Sequence, residues 1–363
     1  MLYSFLFLLN KYFDFKIFDF LLNLYENKYI QKYLSKKKIQ SQSIPTINSS
    51  ELTQEIFEQL SDNYRKPVVI KGYLKDTNAV KLWNENYLKE IIDDNFEITV
   101  IEKDEQLKFN KYKMNEFYEN MNSKYIYINN DNTIFSNYPQ LFNDIKDKFN
   151  EFIGTLKNSG LRNIHIANLF IGYNTPDKIK GSNTHCGGSG NFFCMIKGSK
   201  KWTLVDPKYN VFLKGRVSES GIHAQTLLDM PDTDISKDPQ ILEYLPRYEI
   251  LLEPGDILWN APWWWHRIRN MNDGLNIGLA IRNNKVTKLN LFNNFTYTFS
   301  GYTYLFYNTL VIGLYEKLMM KKDEHFNQSS NKDSVLQQIN RLNQKYPNTF
   351  PFNDIIDIDP KDK

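Results

Sequence analysis

"NFFCMIKGSKKWTLVDP", residues 191–207, sets how the rest of the chain is read. Two short runs rich in aromatic and β-branched residues flank Gly198-Ser199, and Pro207 closes the second. This is the pattern of two strands joined at a tight turn. Along the second run Lys200, Trp202 and Leu204 fall on one face, and Lys201, Thr203 and Val205 on the other, because side chains alternate along a strand. The first face is apolar yet begins with a lysine. A buried ammonium needs a partner; otherwise Lys200 snorkels to solvent from the strand end.

Similar runs follow on both sides, separated by Gly, Pro and Asn. "NIHIANLFIG" (163–172), "YEILLEPGDILWNAP" (248–262), "WWHRIRN" (264–270) and "GLNIGLAIR" (274–282) all read as short strands, the signature of a β-sandwich or barrel. Upstream, "KPVVIKG" (66–72) reads as a buried strand and "FEITVIEK" (96–103) as an alternating one. Helical spacing appears in "SSELTQEIFEQL" (49–60), with a start near Ser50, in "VKLWNENYLKEII" (80–92) and in "KMNEFYENM" (113–121). "FLKGRVSESGIHAQTLLDMPDTDISKDP" (212–239) reads as a long polar connection, a lid or binding loop. After Asn283 the pattern turns helical again, with Val335, Ile339 and Leu342 of "DSVLQQINRL" on one face. The expected fold is therefore mainly β with helical additions. Its parts are an N-terminal aromatic helical segment and linker (1–42), a core domain (43–285) and a C-terminal helical extension (286–363).

Composition narrows the function. Hydrophobic residues make up 41% of the chain, with 25 Phe and 23 Tyr, so a sizeable core can be buried. The net charge of +3 gives no electrostatic case for nucleic acid as a partner. Cys186 and Cys194 cannot build a disulfide framework and fit a reducing compartment, so a cytoplasmic location is expected. In the opening 25 residues Lys11, Asp14, Lys16 and Asp19 interrupt the apolar run, which is too short to span a bilayer. No signal-peptide pattern accompanies it. A second stretch, Leu289 to Tyr315, carries no charge but holds several Asn and Thr. Both are expected to be helices that pack on the domain or on a second copy, as a homodimer through C-terminal helices. Peripheral membrane contact through the termini is the alternative.

Two histidines stand in unusual settings. "NTHCGGSGNFF" (183–193) places His185 on a strand entering a glycine-rich turn. "EPGDILWNAPWWWH" (253–266) places His266 after a tight turn, a strand, a proline break and three tryptophans. Either histidine alone is usually a satisfied core residue. Three adjacent indoles are costly to expose, which puts His266 at the mouth of an apolar pocket, a suitable place for a metal-bound imidazole. The tryptophans themselves either line a substrate groove or fill core and shield the metal.

The ordered set of these motifs, over roughly residues 50–285, resembles the JmjC and cupin-like oxygenases, and most of all the asparaginyl-hydroxylase type that acts on hypoxia-inducible factor. The resemblance implies a double-stranded β-helix (jelly-roll) holding Fe(II) and 2-oxoglutarate, and a peptide or protein substrate. It implies His185 and His266 as metal ligands and Lys200 as the partner of the far carboxylate of 2-oxoglutarate. Asn191 and Thr184 are carried over as cosubstrate contacts. A second asparagine that this type carries on its last strand has no clear match, Asn276 lying too early. Gly187 stands where the family has Asp or Glu in the iron-binding facial triad. Alternation turns Cys186 to the other face, which makes it a poor substitute. Three readings stay open: iron held by two histidines with water or halide in the vacancy, as in halogenases that resemble this pattern; a replacement ligand among Asp177, Glu219, His223 and Asp229; or a catalytically inactive binding protein.

Overall fold

The computed structural model describes residues 2–13, 15–103, 107–131, 133–159, 167–175, 180–218, 223–228, 240–283 and 294–306. Two helices open the chain, α1 (Leu2–Tyr12) and α2 (Lys16–Leu34), followed by β1 (Gln42–Ser43) and β2 (Thr46–Asn48). The next section alternates: α3 (Gln54–Leu60), β3 (Val68–Lys71), α4 (Asn78–Leu82), α5 (Glu85–Ile91), β4 (Glu97–Lys103), β5 (Leu107–Lys113), α6 (Met114–Asn120) and β6 (Tyr125–Asp131). Helices α7 (Thr133–Asn137) and α8 (Pro139–Thr155) lead into a run of strands. These are β7 (Ala167–Asn174), β8 (Gly181–Gly187), β9 (Gly190–Lys197), β10 (Lys200–Val205), β11 (Gly215–Val217) and β12 (His223–Thr226). They continue with β13 (Arg247–Leu252), β14 (Ile257–Asn260), β15 (Trp265–Asn270) and β16 (Gly274–Asn283), before α9 (Phe295–Phe306).

The strands form two mixed sheets, consistent with a cupin sandwich. One has seven strands in the order β1-β13-β10-β15-β8-β12-β11, the other nine in the order β2-β3-β14-β9-β16-β7-β6-β4-β5. Among the described residues only the short β1–β13 and β2–β3 pairs are parallel. Strands β9 and β10, read from the opening motif, follow one another in the chain but lie in different sheets, so Gly198 (φ +77°) turns the chain from one layer to the other. The face predicted to be apolar is closed: Lys200, Trp202 and Leu204 are all buried. Helices take as large a share of the described residues as strands do, more than a mainly β reading allows.

Local chemistry explains several boundaries. Helix α3 starts later than Ser50, because Thr53 caps it by accepting a hydrogen bond from the Ile56 N–H, while Ser49–Glu51 form a 3-10 turn. The 80–92 segment breaks into α4 and α5 at Trp83, and Asn84 caps the second. In the "EPGD" turn the buried Asp256 carboxylate accepts from the Gly72 and Glu253 N–H groups at 2.9 Å and pairs with Lys71, tying β3 to β14. Gly255 has φ +96°, and a Cβ there would meet the Lys75 nitrogen at 2.8 Å, so glycine is required. Residues 212–239, read as a loop, contain strands β11 and β12, which extend the seven-stranded sheet.

The main core lies between the sheets and under α3 to α8. A second cluster covers the outer side of the seven-stranded sheet. There Phe7, Leu22 and Ile30 from α1 and α2 meet Cys186, Trp263, Trp265 and Tyr297. The terminal helices thus pack on the domain, but Phe5, Phe15 and Phe20 remain more than half exposed. Among the described residues no helix is long and apolar enough to cross a membrane. The expected helices at 307–320 and 333–342 lie outside the described residues.

Two glycines of "HCGGSGN", Gly188 and Gly190, have a packing reason. A Cβ on Gly190 would sit 2.0 Å from the Trp259 ring, and one on Gly188 2.9 Å from the Trp263 ring. Gly190→Ala is therefore expected to destabilise the protein by about 1–3 kcal/mol through overpacking. Thermal unfolding of the variant measures this, and an unchanged midpoint would mean that Trp259 yields freely.

Candidate metal and cosubstrate site

A cavity opens between the sheets, bordered by β6, β8, β10, β12, β15 and β16. His185 lies on β8 directly opposite His266 on β15, and their ring centroids are 4.1 Å apart. His185 Nδ1 lies 2.7 Å from the Asn183 carbonyl, and His266 Nδ1 2.9 Å from the Trp264 carbonyl. A carbonyl only accepts, so each Nδ1 carries the proton and donates. Nε2 is left with its lone pair as the nitrogen available to the cavity. Trp202 stacks on His266 at 26° and fixes the ring plane. Burial holds the His185 imidazole down at about 4 and His266 well below its ordinary value, so both are neutral and able to bind a cation.

Lys200 lies in the same cavity and is 1% exposed. Its ammonium donates to Asn270 Oδ1 and sits 5.8 Å from the Tyr127 ring centroid. No carboxylate of the described residues pairs with it, and none lines the cavity. Burial pulls its pKa down to about 7. Arg282 also lines the cavity and donates to Asn130 Oδ1 at 2.6 Å. Two cationic side chains, Lys200 and Arg282, on the lining make this a place for an anion. Asn191 Oδ1 and Ser182 Oγ are buried there without a hydrogen-bond partner among the described residues, and await a ligand or water.

The structure thus brings together His185, His266, Lys200 and Asn191. Thr184 is buried but is not among the side chains that line the cavity. Cys186 faces the outer cluster, and burial raises its thiol pKa well above the ordinary value, which suits packing and not ligation. The three tryptophans fill core. Trp263, Trp264 and Trp265 are at most 4% exposed, and none lines the cavity. Their indole N–H groups donate to three separate places, Thr298 Oγ1, the Arg65 carbonyl and Asn210 Oδ1. Trp263 holds φ +64° and its N–H donates to the Gly187 carbonyl, locking the turn beside the site.

Among the described residues no three His, Cys, Asp or Glu side chains close on one metal position. Of the possible replacement ligands, His223 lines the cavity, while Asp177, Glu219 and Asp229 lie outside the described residues. The donors present still fit a divalent cation that arrives with an anionic chelator: two neutral imidazoles, a lysine for the distal charge and orphaned polar atoms nearby. Tyr127, Asn270 and Arg282 escaped sequence reasoning, since only the folded sheets carry them to Lys200 and His185.

The family model for the cupin-like domain matches residues 53–288. JmjC domain-containing protein E of Dictyostelium discoideum is 28% identical over 214 residues, covering 51% of this chain and 58% of that protein. JmjC domain-containing protein C of the same organism is 30% identical over 114 residues, covering 31% of this chain and 27% of that protein. The chain therefore spans less than two thirds of these relatives. Since the family match extends over well more than half of its residues, the chain belongs to the cupin-like domain family.

Proposed function

We propose that this protein is a non-heme oxygenase that uses Fe(II) and 2-oxoglutarate to hydroxylate a side chain of a peptide or protein. Its core would be a double-stranded β-helix over about residues 43–285, with additions at 1–42 and 286–363. The reading rests above all on one observation: two neutral imidazoles and a lysine that no carboxylate of the described residues pairs with share one cavity. A cupin fold kept only for packing gains nothing from a buried amine whose charge is costly to keep there. The distant likeness to JmjC domain-containing proteins points the same way.

When bound, iron and 2-oxoglutarate would supply the chemistry by which dioxygen puts one oxygen atom on a C–H bond, dioxygen being the oxidant and 2-oxoglutarate giving up two electrons as it loses CO2 and takes the other oxygen atom into succinate. The chain's own residues hold and shield. His185 and His266 offer Nε2 to the metal, and their Nδ1–H bonds to backbone carbonyls keep both rings in place. Lys200 neutralises the distal carboxylate, and Asn191 offers its amide. Phe193, Trp202 and Ile268 give the cavity apolar walls that limit water around these groups. Exposed aromatic residues of α1 and α2 provide a face for peripheral membrane contact, which flotation with liposomes tests, while a homodimer would form through the C-terminal helices. The buried thiols of Cys186 and Cys194 suit a cytoplasmic setting.

Gly187 favours a second reading, because glycine gives the metal no donor: halide in the vacancy, or a binding protein that has lost its chemistry. Anaerobic reconstitution with Fe(II) and 2-oxoglutarate, with and without chloride, followed by oxygen and a succinate assay, distinguishes them. Succinate from the wild type is the expected result. Succinate from Gly187→Asp alone identifies a disabled oxygenase. A chloride-dependent iron spectrum identifies an open halide position. Failure to bind iron with both histidines intact removes the metal reading.

A further inference from the structure

The gap at Gly187 faces a histidine. Strand β12 runs antiparallel to β8, with Gln225 opposite His185, Ala224 opposite Cys186 and His223 opposite Gly187. On the other flank, β15 sets His266 opposite His185. Residues directly opposite each other in an antiparallel pair project to the same face. Three adjacent strands, β15, β8 and β12, therefore each deliver one imidazole to one face. All three line the same cavity, and they are three of only five histidines in the chain.

We propose that His223 is the third protein ligand of the metal site, an imidazole from the neighbouring strand taking the place of the carboxylate that Gly187 cannot supply. This assignment rests on the metal reading above and deepens it. Opposite residues in such a pair have Cβ atoms roughly 4.5–5.5 Å apart. A ring from position 223 can cover that offset only if nothing stands at 187, and glycine leaves the space free. The three rings do not yet converge on one point. His223 must turn toward His185 and His266 when a cation enters; its side chain is only partly buried and lines the same cavity as theirs.

The replacement changes the site's chemistry. A neutral imidazole in place of a carboxylate leaves the metal one unit more positive. An anionic cosubstrate then meets less opposition, and a free halide finds no vacant protein position. Three nitrogen donors also favour borderline metals over hard oxygen-seeking ones such as Mg(II).

The test uses Co(II) as the probe, added to the metal-free full chain and followed by visible absorption and by hyperfine-shifted proton NMR. The wild type is expected to show three imidazole sets and His223→Ala two. Loss of an outer partner of a metal ligand already costs about 10–100-fold in affinity, so loss of this ligand is expected to cost at least ~100-fold. Adding Gly187→Asp to His223→Ala should restore most of it, since the carboxylate returns at the family position. Melting of each metal-free variant checks that it folds, and the wild-type signal count needs no variant. Two imidazole sets in the wild type, or unchanged Co(II) affinity in His223→Ala, would overturn the assignment while leaving His185 and His266 in place. A wild type that binds no Co(II) would instead remove the metal reading itself, and this assignment with it.

Discussion

Lys200→Met is expected to weaken 2-oxoglutarate binding by ~10- to ~100-fold and to leave divalent-cation binding unchanged. A charge-assisted hydrogen bond contributes about 1.5–3 kcal/mol, and each 1.4 kcal/mol is a factor of ten. Methionine keeps the volume of the buried stem without the charge, so the loss reports on the ammonium and not on a cavity. The wild type carries a second signature. Burial lowers the Lys200 pKa to about 7, and a bound carboxylate raises it again. Above pH 7 the free site holds mostly neutral lysine, while the complex needs the ammonium. Binding at pH 8 should therefore take up close to one proton, and affinity should fall as pH rises. Below pH 7 the lysine is already charged, so uptake vanishes and affinity levels off. Calorimetry in buffers of different ionisation heat reads both effects. Proton-neutral binding at pH 8, or equal affinity in the variant, would take Lys200 out of the cosubstrate site.

The parts of the fold visible in sequence were those that local physics encodes. "KPVVIKG" became the buried β3, and "NFFCMIKGSKKWTLVDP" became β9 and β10, because β-branched and aromatic runs ending at Gly or Pro carry their own signal. That β9 and β10 enter opposite sheets was not visible, since a glycine turn does not say which partner each strand finds. The hidden strands β11 and β12 are three and four residues long and include Arg216, His223 and Gln225. Such polar residues read as loop until the partners that bury them are known. For the same reason His223 stood only as one of four loop candidates. Its meaning comes from lying opposite Gly187, a long-range pairing that no local pattern reports. Lys200 stood out because it breaks a local rule, a charged residue where the strand pattern asks for an apolar one, whereas His185 and His266 stood out only by their settings and took their reading as ligands from the family resemblance.

Arg216 supplies the other large effect, on stability. Its guanidinium donates to both carboxylate oxygens of Glu26, at 2.7 and 2.9 Å, with Glu26 wholly buried under α2 and Arg216 4% exposed. This pair pins α2 to β11 at the edge of the seven-stranded sheet, beside the apolar contacts of Phe7, Leu22 and Ile30. Removing one partner of a buried pair leaves an uncompensated charge and costs about 3–5 kcal/mol. Arg216→Met is thus expected to lower the unfolding free energy by that order, read by denaturant titration. Replacing both partners, Glu26→Leu with Arg216→Met, should recover most of the loss, because packed apolar groups of similar size can substitute for a buried pair. The single variant should also show a steeper pH dependence than the wild type. Burial pushes the Glu26 carboxyl up, and Arg216 is the main influence that opposes this. Without Arg216 the folded protein keeps Glu26 protonated, while the unfolded chain releases that proton above about pH 4.3. The unfolded state then binds fewer protons, so the variant's stability falls as pH rises from there toward neutrality. A deficit that is equal at pH 5 and pH 8, or smaller than ~0.5 kcal/mol, would show that water reaches Glu26 and that the apolar contacts alone hold α2 in place.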